Sequence, residues 1–206
     1  MDRLLERIIS LKTTSVGERV RFRMREFYSK GQEPEGSIFN ELCFCLLTAN
    51  YSAEGAIRIQ SAIGDGFITL PEPELAFKLK SLGYRFPNAR ARYIAKAREH
   101  HGKLKTLLKT QNGSARDWLA DNVLGLGYKE ASHFLRNVGK DSHAIIDFHI
   151  IDILAENRIT ERPKTLTRKK YLEIERVLAT IAERAGINQG ELDLYLWYLE
   201  TGKILK

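Results

Sequence analysis

Apolar residues along this chain recur at three- and four-residue spacings, and the runs are cut at short intervals by glycine or proline. Leu75, Leu79 and Leu82 precede Gly83, and Tyr171, Ile174, Leu178 and Ile181 lie ahead of Gly186. The sustained two-residue alternation of a half-buried strand is absent, so the pattern predicts an all-α fold. The run Ile38 to Ala49 is apolar nearly all round, which suits a central buried helix. At 206 residues there is room for one domain or for two small helical lobes sharing a cleft. The expected division is a central lobe, 38–144, and a lobe made from both ends, 1–37 with 145–206. Gly31 to Gly36, with Pro34, reads as a loop and hinge between them.

The most informative stretch runs from Asp121 to Ile151, DNVLGLGYKEASHFLRNVGKDSHAIIDFHII. In Leu124-Gly125-Leu126-Gly127-Tyr128-Lys129, two glycines two apart allow a tight turn with outward-facing amides, and both are expected at φ > 0. A first helix, Ala115 to Asn122, leads into the turn, with Ser114 and Asp117 at the spacing of a capping box. Helix-forming composition from Glu130 to Val138, stopped by Gly139, follows it. The turn thus sits at a helix N-terminus, where dipole and free N–H groups favour an anion such as a phosphate. Eighteen residues beyond Lys129 a lone acid, Asp147, interrupts the apolar run Ala144 to Ile151. Read from the residues, Lys129 is either a phosphate contact or a reactive amine, and Asp147 either a helix N-cap or a functional carboxylate.

These motifs, in this order, resemble the helix-hairpin-helix DNA glycosylases. The hairpin spans about 115–139, and the segment Ile145-Ile146-Asp147-Phe148-His149-Ile150 matches that family's "hydrophobic, hydrophobic, Asp, x, His, hydrophobic". A lysine at the Lys129 position marks the members that are both glycosylase and lyase. The short length and the ending Trp197 to Lys206 look most like the archaeal-type 8-oxoguanine DNA glycosylase/lyases. One departure is that the usual Leu-Pro-Gly of the hairpin is here Leu124-Gly125. The resemblance implies double-stranded DNA containing oxidised guanine as partner, and a monomeric enzyme. It also implies Lys129 as nucleophile, Asp147 as its charge partner, and Gly125, Gly127 and His149 as DNA contacts. No cofactor is required on this reading, and a cation on the hairpin carbonyls would be structural.

Further candidates lie elsewhere. Leu47-Thr48-Ala49-Asn50 is similar to the segment in which a polar amide wedges into the space left by a flipped base. Asn50 is that candidate, or simply a helix cap. Gly83-Tyr84-Arg85-Phe86-Pro87 is similar to a loop bordering the lesion pocket. There Phe86 either stacks on the extruded base or joins the core. Arg85 and Arg90 belong to a dense basic stretch suited to phosphates. Asp193 and Trp197 share one face of the last helix, which Asn188 and Glu191 open. By resemblance these two, with Lys206, line the base pocket, a frayed end being the plain reading of Lys206. Arg19, Arg21, Arg23 and Arg25 read as a solvated face, and a basic loop follows Arg158.

Composition narrows the classes. The net charge of +7 and a pI near 9.4 suit a polyanionic partner, though many unrelated proteins share them. No apolar stretch approaches the roughly 20 residues of a membrane span, and Met1 to Ser10 is too charged for a secretory signal. A cytoplasmic, nucleoid-associated protein is expected. Cys43 and Cys45 read as buried hydrophobes, and no cysteine follows them, which excludes a four-cysteine iron–sulfur cluster. His143 and His149 flank Asp147 without a third ligand, so no metal site is expected. Gly125-Leu126-Gly127 follows a helix, not a strand, which argues against dinucleotide and P-loop folds. Two readings remain: a bifunctional glycosylase acting on 8-oxoguanine or another oxidised base, and a non-catalytic hairpin module that only binds DNA. An amine–carboxylate pair has no use in a pure binder.

Overall fold

The computed structural model describes residues 1–110 and 114–206. In chain order the helices are α1 (Asp2–Lys12), α2 (Ser15–Lys30), α3 (Glu35–Thr48), α4 (Ala53–Ile63), α5 (Gly66–Thr69), α6 (Glu72–Ser81), α7 (Pro87–Ala97) and α8 (Leu104–Thr110). The second half contains α9 (Ala115–Asn122), α10 (Tyr128–Asn137), α11 (Phe148–Glu156), α12 (Arg168–Ala185) and α13 (Gln189–Thr201). No strand occurs among the described residues, so the fold is all α as the periodicity predicts.

Local chemistry sets many of the helix ends. Ser52 caps α4 by accepting from the Gly55 N–H at 3.2 Å, and Thr167 caps α12 by accepting from Lys170. Asn188 opens α13 with a 2.7 Å bond from the Glu191 N–H. Proline sits just before α3 and α6 and begins α7, where its fixed φ suits helix entry. The Ser114 side chain makes no capping bond to α9, contrary to expectation, and Asp117 is instead engaged by the Tyr128 hydroxyl. The expected loop after Gly31 is short, because α3 already begins at Glu35.

The chain groups into two compact units. One comprises Met1–Ser29 with Leu135–Lys206, and the other Lys30–Phe134. Both boundaries fall inside helices, α2 and α10, and earlier than the glycine-rich positions suggest.

Within the central unit α3 packs against α4, α5, α7 and α8. Phe39, Leu42, Phe44, Leu46 and Leu47 are fully buried, each contributing about 1.5–3 kcal/mol of apolar burial. Cys43 and Cys45 are free thiols on the same buried helix, and burial pushes the Cys43 pKa well up. Within the terminal unit α1, α12 and α13 pack on one another and α11 packs on α13. No helix among the described residues is long and apolar enough to cross a membrane.

Candidate DNA-repair site

In the central unit α9 ends at Asn122, and Val123 to Gly127 turn the chain into α10. The Leu126 N–H bonds back to the Val123 carbonyl at 3.0 Å, closing the hairpin. Gly125 has φ +86, and a Cβ there would lie 2.3 Å from Tyr93 Cδ2, so both backbone and space demand glycine. Gly127 differs from expectation, because its φ is not positive. Its constraint is mild, a Cβ meeting Glu130 Oε2 at 3.3 Å. Both glycines are exposed, and residues Ala120 to Gly127 line an open concavity of about 370 Å³. Across the hairpin the two helices are tied together. The Arg116 guanidinium lies 4.6 Å from the Tyr128 ring centroid, and the Tyr128 hydroxyl donates to Asp117.

Helix α10 begins at Tyr128, two residues earlier than the composition suggests, so Lys129 stands in its first turn. The Lys129 side chain is 22 % exposed, with Nζ 4.0 Å from Oε1 of Glu130. Glu130 is absent from the residues singled out by sequence, although an acid directly beside a candidate nucleophile is a signal that could have found it.

The other elements of the central unit place their candidates on the surface, with one exception. Asn50 follows α3, is exposed, and has φ 59, the left-handed backbone that asparagine tolerates. Phe86 is 43 % exposed just before α7, with the Arg85 guanidinium 5.0 Å from its ring centroid. An aromatic presented to solvent is available for stacking, so the core reading of Phe86 fails. Arg90 is the exception. Expected as a phosphate contact, it is only 6 % exposed, its Nε donating to the Tyr84 hydroxyl at 3.0 Å and its terminal nitrogen to the Ala49 carbonyl at 2.9 Å. Tyr84 in turn donates to the Leu47 carbonyl at 2.7 Å. Burial pushes the Tyr84 pKa up, partly offset by Arg90. Arg90 therefore satisfies a carbonyl left open at the C-terminus of α3 and so fixes the backbone from which Asn50 projects.

In the terminal unit Asp147 is the N-cap of α11, one oxygen accepting from the Ile150 N–H at 3.1 Å. Its second oxygen has no hydrogen-bond partner among the described residues, so the capping role leaves half the carboxylate uncommitted. The extended approach to Asp147 is strapped to α12. The Tyr171 hydroxyl accepts from the Ile146 N–H at 3.1 Å and donates to the Ala144 carbonyl at 2.7 Å, while Glu175 accepts from the Ala144 N–H at 3.0 Å. By sequence Tyr171 is one member of an apolar stripe. Its partners are backbone atoms 25 and 27 residues away, which no side-chain pattern announces.

His149, in the first turn of α11, is exposed. Its ring meets Trp197 edge-on at 5.2 Å, and its Nδ1 lies 3.7 Å from Glu200. The Trp197 indole N–H is buried and has no partner among the described residues. Asp193, one turn before Trp197, lies 3.3 Å from the guanidinium of Arg136, itself 2 % exposed. Asp193 thus compensates a buried cation, a role additional to the one expected. Lys206 is half-buried, following the left-handed Gly202 that ends α13. Among the described residues no group of three or more His, Cys, Asp or Glu side chains forms a metal site.

A family model described as 8-oxoguanine DNA glycosylase matches residues 20–187. The chain belongs to that family. The 8-oxoguanine DNA glycosylase/AP lyase of Methanocaldococcus jannaschii is 52 % identical over 205 residues, covering 98 % of this chain and 99 % of the relative. The one from Korarchaeum cryptofilum is 51 % identical over 209 residues, covering 100 % and 99 %. The crystal structure of the M. jannaschii 8-oxoguanine DNA glycosylase superposes with a TM-score of 0.94 at 51 % identity, covering 99 % of this chain and 96 % of that one. The structure of the same organism's 8-oxoguanine glycosylase/lyase in complex with a 15mer DNA containing 8-oxoguanine gives 0.96 at 50 % identity, over 99 % and 100 %. The two full-length likenesses extend the family match to both ends of the chain.

Proposed function

We propose that this chain is a bifunctional base-excision repair enzyme. It extrudes 8-oxoguanine from duplex DNA, cuts the bond between base and sugar, and nicks the strand by β-elimination at the abasic site. The reading rests above all on Lys129, a partly buried amine in the first turn of the helix that the exposed hairpin amides precede. The family membership supports it, since the relatives named above are glycosylase/AP lyases.

The chemistry follows from the residues. Extrusion costs a few kcal/mol of lost stacking and pairing, recovered through backbone contacts and stacking on exposed aromatics such as Phe86. The hairpin amides hold phosphate. The neutral amine of Lys129 attacks C1′ of the sugar, the C1′–N9 bond breaks, and the base leaves with its bonding electrons and takes up a proton. Glu130, 4.0 Å from the amine, is placed to receive the proton that Lys129 must lose. The uncommitted oxygen of Asp147 stabilises the positive charge that develops on the sugar and assists proton transfer. Loss of a second proton from the amine frees its electron pair to form the C1′=N bond as the C1′–O4′ bond of the sugar ring breaks, O4′ taking up a proton, and this yields the protonated Schiff base. Removal of a C2′ proton then forms the C2′=C3′ double bond as the C3′–O bond breaks and the 3′ phosphate leaves, and water hydrolyses the C1′=N bond to free the lysine.

No step needs a cofactor, and a cation on the hairpin carbonyls would serve backbone binding only. The enzyme works as a monomer in the cytoplasm, at the nucleoid. The test is strand cleavage, on duplexes carrying 8-oxoguanine, undamaged guanine or another oxidised base at one position. Cleavage of the 8-oxoguanine strand first and undamaged guanine not at all is expected. Tight binding with no cleavage of any substrate would leave only the DNA-binding module.

A further inference from the structure

Most of the chain's net charge lies outside the elements just described. Residues 158–170, between α11 and the first turn of α12, contain Arg158, Arg162, Lys164, Arg168, Lys169 and Lys170 against the single acid Glu161, a net +5 of the chain's +7. Arg158, Arg162, Lys164, Arg168 and Lys169 are all exposed. Arg162 meets Asp152 at 3.1 Å and Lys170 meets Glu173 at 3.1 Å, both in solvent, where such pairs contribute little. Arg158, Lys164 and Lys169 have no ion-pair partner among the described residues.

Two features of the segment are unfavourable for local stability. Arg158 occupies the left-handed backbone that ends α11, at φ 56, where glycine is the favoured residue. Its N–H bonds to the Ala155 carbonyl and that of Ile159 to the Leu154 carbonyl, so an arginine stands at a position that costs it backbone strain. The first turn of α12 is Arg168, Lys169 and Lys170 with no acid, although the helix dipole disfavours cations there. A polyanion laid along the segment offsets both penalties.

Position selects the polyanion. Asp147 opens α11 and the basic segment leaves its far end, so nine residues at 1.5 Å rise separate them by about 13 Å. At 3.4 Å of axial rise per nucleotide that is roughly four nucleotides.

We propose that residues 158–170 form a second DNA-backbone site. It binds phosphates of the same duplex a few nucleotides from the one that Asp147 serves, with no reading of sequence. The proposal rests on the repair reading for the nature of the substrate, and it predicts that productive binding needs duplex beyond the immediate surroundings of the lesion.

The test compares wild type with the triple variant Arg158→Asn, Lys164→Gln, Lys169→Gln, asparagine being chosen for its tolerance of the left-handed backbone. A control triple, Arg3→Ser, Arg7→Ser, Arg176→Ser, removes the same charge from exposed positions of the same unit. Affinity is measured against salt on a lesion duplex extending about two helical turns to each side, and on one trimmed to about a quarter turn. Removing one phosphate-neutralising cation lowers the slope of log K against log salt by about 0.9, so the loop triple is expected to be shallower by roughly 2 to 3 on the long duplex. The control triple keeps the wild-type slope, and on the trimmed duplex the loop triple and wild type coincide. Equal slopes for loop triple and wild type on the long duplex would overturn the proposal. So would an equal drop in the control, or an equal drop on the trimmed duplex. Should wild type bind the duplex without cleaving it while the loop triple still flattens the slope, the repair reading fails and the backbone site stands.

Discussion

Replacing Tyr171 by phenylalanine removes one oxygen and tests how Asp147 is held. The ring is 3 % exposed, and its hydroxyl is the partner of the Ile146 N–H and the Ala144 carbonyl, on residues that are 0 % and 3 % exposed. Phenylalanine fills the same space but leaves a buried donor and a buried acceptor without that partner. Each such group costs about 1–3 kcal/mol, so a loss of about 3 kcal/mol is expected. For a chain of this size that lowers the midpoint of thermal unfolding by roughly 6–12 °C. The freed segment ends at Asp147. A displacement of about 1 Å there is enough to cost up to about a hundredfold in the chemical step. Single-turnover cleavage of a saturated 8-oxoguanine duplex is therefore expected to slow by about ten- to a hundredfold, while the Kd for the duplex changes less than about threefold. A destabilisation below about 1 kcal/mol with an unchanged single-turnover rate would refute the strap.

Four other substitutions probe separate parts of the molecule. Gly125→Ala places a Cβ 2.3 Å from Tyr93 at φ +86. It is expected to cost about 2–3 kcal/mol in denaturant unfolding and at least about tenfold in duplex affinity; retention of both would remove the close approach as the reason for glycine. Arg90→Met leaves the Ala49 carbonyl without its guanidinium partner and is expected to destabilise by about 2 kcal/mol, whereas exposed Arg85→Ala changes stability by less than about 0.5 kcal/mol and acts on DNA affinity alone. The reverse ranking would restore Arg90 to the surface. Tyr195→Phe is expected to stabilise at neutral pH by about 1 kcal/mol, because the native hydroxyl is buried and has no partner among the described residues.

The same variant carries a pH signature. Burial, reinforced by Glu191, pushes the Tyr195 pKa up to about 12 from its ordinary 10. The group folds in its neutral form, so its contribution is fully present below pH 10 and is lost as pH rises from 10 to about 12. Stability of wild type relative to Tyr195→Phe should fall across that window, and parallel alkaline curves would contradict the assignment.

How far the sequence anticipates the molecule depends on the kind of information each residue carries. Periodicity locates α12 because its apolar stripe and its Gly186 stop agree, whereas α9 lies where expected although the capping bond read for Ser114 is not made. Asp147 is legible because a lone acid in the apolar run Ala144 to Ile151 needs either a helix end to cap or a reaction to serve. Gly125 is legible because a tight turn between two helices calls for a left-handed residue. Gly127 is expected to share that backbone by analogy with its partner, and the analogy fails because the helix has already begun to form at Tyr128. Arg90 stands among surface arginines such as Arg85 and Arg92, so the sequence groups it with them. Only the approach of the α3 C-terminus, across a gap of 41 residues, turns one arginine of the run inward. Tyr171 and Arg136 escape sequence reading for a related reason. Their partners, backbone groups near Ala144 and the Asp193 carboxylate, become neighbours only when α12 and α13 are packed.

The whole reaction scheme depends on Lys129 as the nucleophile, and borohydride trapping on a duplex with one 8-oxoguanine opposite cytosine decides it. Borohydride reduces the lysine–sugar Schiff base to a stable amine, so a covalent protein–DNA adduct should accumulate with wild type and be absent with Lys129→Gln. An adduct of equal yield from Lys129→Gln, with the variant folded, would assign the attack to another amine and contradict the role given to Lys129.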